Sequence, residues 1–170
     1  MKLVTLLSWL LLMSVPVQAS IAQKLLPTSE PVGTSPILTY LFWDIYQATL
    51  FAPQGQFSKN KPFILKLHYL RDLKGKDIAQ RSVEEMKNQG FRDQQKLALW
   101  HSQMQSIFPD VSHGTELYGK RTINGTSRFY LGETLIGEIE DPQFTQHFFA
   151  IWLDERTSEP NMRKALLNLE

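Results

Sequence analysis

The stretch Thr115–Glu140, TELYGKRTINGTSRFYLGETLIGEIE, decides the fold class. It reads as three short strands. Asn124-Gly125 joins the first two and Gly132-Glu133 joins the second to the third. Asn-Gly is the preferred pair of a tight hairpin, and connections this short join only antiparallel neighbours. Asn124-Gly125-Thr126 is formally a glycosylation acceptor, but the turn reading accounts for it.

Working outward from this meander, the chain before it supplies two helices. In GKDIAQRSVEEMKNQG, residues Ile78, Ala79, Val83 and Met86 fall on one stripe, and Gly90 stands where a C-cap belongs. In DQQKLALWHSQMQSIFPD, residues Leu97, Trp100, Met104 and Ile107 repeat at three and four, and Pro109 ends the run. Upstream, PFILKLHYL alternates as a half-buried strand, with Phe63, Leu65, Leu67 and Tyr69 on one face and Lys66 and His68 on the other. ILTYLFWDIYQATLFA is apolar almost throughout and is expected to be one long strand covered on both sides. Residues 53–62, bounded by prolines and containing Gly55, form a hairpin loop between them. After the meander, Asp141 and Pro142 open a helix whose apolar face is Phe144, Phe148, Ile151 and Trp152. A last helix begins near Ser158 and packs through Met162, Leu166, Leu167 and Leu169. The order β-β-α-α-β-β-β-α-α predicts an α+β domain, an antiparallel sheet with a layer of helices.

The remaining N-terminal residues have other roles. Met1-Lys2, the apolar run LVTLLSWLLLMSVPV and the small residues Val17 and Ala19 form a signal peptide, with cleavage expected after Ala19. Residues 20–36 contain three prolines and few anchors and read as a leader into the domain at 37–170. No later run approaches a membrane span, which takes roughly 20 apolar residues. The expected mature protein is periplasmic or secreted, with no stable membrane span after cleavage. The full chain of 170 residues has 18 Lys and Arg against 17 Asp and Glu, and loss of Lys2 on cleavage balances the two. A neutral chain lacks the basic face of a nucleic-acid binder. With no cysteine there are no disulfides, thiolate metal sites or thiol nucleophile.

Candidate chemistry is sparse. His68, His101, His113 and His147 show no metal-ligand spacing, and no nucleophile elbow or phosphate loop occurs. Neither a metal nor a cofactor is expected. The adjacent carboxylates Glu84-Glu85 and Asp154-Glu155 read as solvated surface. The aromatic residues are more informative. Tyr40, Phe42, Tyr46 and Tyr69 share a parity on two strands expected to pair, with Trp43 on the opposite face. Core packing is one reading. The other is an aromatic-lined cleft for an apolar ligand, with the tyrosine hydroxyls as polar fixers. Tyr40, Phe42, Tyr46 and Tyr69, with Trp100, are the candidate ligand-binding residues.

The chain also resembles the bacterial chalcone isomerase-like domain family. The resemblance lies in FFAIWLDERTSEPNMRKALL at the end, FWDIYQATLFAP, LHYLRDLKGKDIAQRSVEEMKNQG, FPDVSHGTELYG and FYLGETLIGEIEDPQF, in the family's order from about Pro36 to Leu167. It implies an open-faced β-sandwich with a cleft between a long antiparallel sheet and a helical layer. Plant chalcone isomerases close a flavanone ring with an arginine, a threonine, a tyrosine and an asparagine. Here residues 25–58 contain no Arg or Lys, the threonine position falls on Tyr46, and GKDIAQRSVEEM supplies neither Tyr nor Asn. Without the cation that stabilises a developing enolate, chalcone cyclisation is not expected. The fatty-acid-binding branch of the fold also uses an arginine, for which Arg71, Arg121 and Arg128 are candidates by location. The resemblance therefore implies a non-catalytic protein holding a small apolar or amphipathic ligand, fatty-acid-like or aromatic. Two alternatives stay open: an isomerase or intramolecular lyase using Tyr46 as acid or base, and a protein-interaction domain.

Overall fold

The computed structural model describes residues 19–169, and the signal peptide expected at residues 1–19 lies almost wholly outside them. The strands are β1 (Ser29–Pro31), β2 (Ile37–Tyr40), β3 (Trp43–Pro53), β4 (Phe63–Tyr69), β5 (Glu116–Arg121), β6 (Ser127–Leu131) and β7 (Thr134–Ile139). They form one seven-stranded antiparallel sheet in the order β1-β3-β4-β5-β6-β7, with β2 also on β3. The class is α+β, as expected.

Four helices lie on one face: α2 (Gly75–Asn88), α3 (Gln94–Ile107), α4 (Pro142–Leu153) and α5 (Pro160–Leu167). The sequence sets their ends. Asp93 accepts from Lys96 N to cap α3, and Asp141 accepts from Gln143 N to cap α4, where Pro142 fits the first turn. Lys74 at the start of α2 has no capping side chain of its own. Asp110, from the loop after α3, accepts from Gly75 N at 3.0 Å instead. The main core fills the space between this layer and the sheet. Its centre is a cluster of edge-to-face rings, Phe129, Phe144, Phe148 and Phe149, with centroids 5.2–6.4 Å apart where they meet edge-on.

Alternation in β4 behaves as the sequence indicates: Phe63, Leu65 and Leu67 face the helices, and Ile64 packs on the other side. Two other expectations are corrected. The long strand expected over 37–52 is a hairpin. It breaks at Leu41-Phe42, with Tyr40 paired to Trp43, and Leu41 takes the left-handed conformation at φ 57°. No Gly, Asn or Pro marks this turn, so hydrophobic continuity hid it. The leader is also better anchored than its composition suggested. Within it, α1 (Ile21–Leu25) places Ala22 on Ile64 and Tyr118, covering the back of the sheet, and β1 pairs with the end of β3. The turn at Asn124-Gly125 is a hairpin as read, but it is longer than two residues: Thr122 N donates to Thr126 O, and Gly125 supplies the positive φ of 81°.

Candidate functional site

Between the sheet and α2, α4 and the start of α5 lies a cavity of about 410 Å³. Its walls are apolar: Leu38 and Ile45 from the β2–β3 hairpin, Leu65 and Leu67 from β4, Phe148 and Ile151 from α4. Antiparallel pairing sets Tyr46 of β3 directly opposite Tyr69 of β4, and both side chains point into this space. Their rings meet edge-to-face with centroids 5.9 Å apart.

One end of the cavity is polar. Trp152 Nε1 donates to the Tyr46 hydroxyl at 2.9 Å. From α2 come Asp77, Arg81, Ser82 and Glu85, and from the turn before α5 come Ser158 and Glu159. Glu85 is only 4% exposed. Ser158 Oγ donates to its Oε2 at 2.9 Å, and Arg81 Nη2 lies 2.5 Å from its Oε1. Burial pushes both phenols well above the usual tyrosine range. For Tyr46 the Trp152 hydrogen bond opposes that rise, while Glu159 and Glu85 add to it. At neutral pH both hydroxyls therefore keep their protons, and the Tyr46 oxygen accepts from Trp152.

Three of the five residues singled out from the sequence, Tyr40, Tyr46 and Tyr69, line the cavity. Phe42 and Trp100 do not. Phe42 stands at the tip of the β2–β3 turn, 93% exposed, because that turn ends the parity on which its placement rested. Trp100 is fully buried under α4, stacked on Phe91 with its Nε1 donating to Asp141 Oδ2 at 3.0 Å.

The arginines expected by location are all elsewhere. Arg71 sits 4.1 Å over the Trp43 ring, Arg121 donates to the Thr122 carbonyl, and Arg128 pairs with Glu138 at 2.9 Å. The cation at the cavity is Arg81. Glu85, read as solvated, is buried. Both lie in a helix whose residues outside the apolar stripe read as solvated surface, although Ile78, Ser82 and Glu85 are spaced by four and three. That spacing is a second, mixed face of the same helix, and it is the face turned to the cavity. Two of the four histidines have local partners: His68 Nδ1 lies 3.4 Å from Glu116, and His147 packs on Phe91.

Residues 37–168 match the chalcone isomerase-like family. The fold is similar to that of a fatty-acid binding protein of Arabidopsis thaliana, with a TM-score of 0.66 over 89% of this chain and 91% of that one. The two are 11% identical, so the likeness is one of fold. No curated protein matches the chain in sequence. Among the described residues, no helix is long and apolar enough to cross a membrane.

Proposed function

The chain belongs to the chalcone isomerase-like family, and from that premise we propose that it is an exported protein that binds a small apolar or amphipathic molecule in the cavity between sheet and helices, without transforming it. The observation that carries this reading is the cavity itself. At about 410 Å³, walled by aliphatic and aromatic side chains and polar at one end, it has the size and character of a small-molecule site. A filled core would have left no such space. A protein of similar fold is described as a fatty-acid binding protein, which supports cargo binding as a use of this architecture.

The state of Tyr46 supports a binding role over acid–base catalysis. A general base must lose its proton near the working pH. Burial, with Glu159 and Glu85 nearby, moves Tyr46 in the opposite direction. No cation stands free beside it, because Arg81, the only cation among the described lining residues, is paired with Glu85.

Native mass spectrometry of the mature chain, purified gently from the compartment to which residues 1–19 direct it, tests the proposal. The expected result is a chain beginning at Ser20 that carries one apolar or amphipathic molecule. A chain that stays empty when offered long-chain alcohols, acids and flat aromatic compounds overturns the binding reading. One that begins at Met1 overturns the export reading.

A further inference from the structure

Of the large apolar side chains left exposed among the described residues, four stand in a row: Tyr40, Leu41, Phe42 and Trp43, from 58% to 93% exposed, at the tip of the β2–β3 hairpin. Ile37, on the same hairpin, is exposed as well. Single exposed apolar residues are ordinary, but a contiguous group marks a contact surface. The bend does not account for this one. Leu41 holds a φ of 57°, which asparagine or glycine takes at less cost, so an apolar residue does not serve the turn itself.

The chemistry of the tip fits a lipid surface. Leu41 and Phe42 are its wholly apolar end, and Tyr40 and Trp43 flank them, each with an apolar ring and one polar group. At a bilayer, apolar side chains enter the acyl region while Tyr and Trp lie at the level of the head groups. A cation stands beside them. Leu70 N donates to the Ile45 carbonyl at 2.9 Å, which carries the β3–β4 pairing toward the tip and sets Arg71 over the Trp43 ring, 4.1 Å from its centroid. Arg71 enters none of the ion pairs among the described residues, so its guanidinium is available to a lipid phosphate. The nearby acids hold local donors: Asp44 accepts from Thr39 Oγ1 at 2.7 Å, and Asp72 accepts from His113 N at 3.2 Å. A protein partner fits less well. A stable interface takes roughly 20–30 residues a side, and a turn tip is too narrow to supply them.

We infer that the β2–β3 tip docks on the surface of a phospholipid bilayer, with Leu41 and Phe42 entering the acyl region, Tyr40 and Trp43 at the head groups and Arg71 on a phosphate. Leu38, Tyr40 and Ile45 of the same hairpin line the cavity, so docking there sets the cavity beside a reservoir of apolar cargo. That use rests on the cargo-binding reading above, whereas the docking rests on the tip alone.

Co-sedimentation of the mature chain, beginning at Ser20, with vesicles of phosphatidylcholine and phosphatidylglycerol in equal parts tests the docking. The chain is expected to sediment with the vesicles, and Phe42→Ser to weaken that binding about tenfold or more. Phe42 is 93% exposed, so its loss leaves the fold intact, which circular dichroism checks. Ile123→Ser removes an exposed apolar side chain from the β5–β6 turn and is expected to bind as the wild type does. A wild-type chain left in the supernatant overturns the docking and leaves the cavity reading standing, since native mass spectrometry decides that reading separately. Equal binding by the wild type and Phe42→Ser, or an equal loss in Ile123→Ser, overturns the tip as the point of contact. A dimer in gel filtration without vesicles, dissociated by Phe42→Ser, would show that a second copy covers the tip and overturns the bilayer as its partner.

Discussion

Trp100 and Asp141 form a structural pair that a list of aromatic residues could not reveal. The indole N–H of Trp100 donates to Asp141 Oδ2, while Oδ1 accepts from the first turn of α4. One carboxylate thereby ties α3 to α4. Burial alone would raise its ionisation range, but these hydrogen bonds outweigh the effect and hold it below the usual carboxylate value. Asp141→Ala removes a helix cap and leaves a buried indole donor without a partner. It is expected to destabilise the fold by about 1–3 kcal/mol, measured by urea denaturation followed by circular dichroism. At this scale the sequence was half legible. A period of two places Tyr46 and Tyr69 on one sheet face, the face that lines the cavity. Glu85 was missed because an acidic residue beside another on a helix resembles solvated surface until its neighbours across the cavity are known.

The least legible element is the β2–β3 hairpin. Its turn residues are Leu41 and Phe42, neither of which belongs to the usual turn set. Leu41 holds a φ of 57°, a conformation that costs a residue bearing a Cβ about 1–3 kcal/mol. It is exposed, so little packing offsets the strain. Leu41→Asn keeps the turn with a residue that tolerates the left-handed region. It is expected to stabilise the protein by about 0.5–1 kcal/mol, seen as a higher urea midpoint at unchanged slope. An unchanged or lower midpoint would show that the strain is relieved in some other way. Helices α3, α4 and α5 were easier to place because their caps and prolines are local signals. The meander β5–β7 was readable for the same reason. The short strands β1 and β2, which both lie beside β3, were not, because they are fixed by the partner they meet rather than by their own pattern.

At the scale of the molecule, the leader and the buried tyrosines make the stability predictions. Gly33, in the leader, has no room for a side chain: a Cβ there would lie 2.1 Å from the Ala165 carbonyl oxygen. Thr34 N donates to that same carbonyl at 3.0 Å, so the segment is seated on the C-terminal helix α5. Deleting residues 20–36 strips α1 from Ile64 and Tyr118 and unpairs one edge of β3. The expected loss is about 3 kcal/mol or more, with a falling thermal midpoint as the measure. A truncated chain as stable as the full one would make the leader dispensable. Alkaline pH acts on the whole fold. Tyr46, Tyr69 and Tyr118 all ionise later in the folded chain than in the unfolded one, mainly through burial. Unfolded tyrosines lose their protons near pH 10, so the stability these groups contribute is complete below about pH 10 and falls as the pH rises above it. Denaturation midpoints measured from about pH 8 to 11 are expected to hold steady and then decline. No decline would mean that these phenols ionise freely in the native state.

The Trp152–Tyr46 hydrogen bond has a consequence for how occupancy can be watched. Among the described tryptophans, Trp43 is exposed beneath Arg71 and Trp100 is sealed in the core, so both report constant surroundings. Trp152 alone lines the cavity, and its indole is tied to the hydroxyl that a guest would meet. A molecule bound as proposed would therefore register as a change in the emission of one indole, with no label attached.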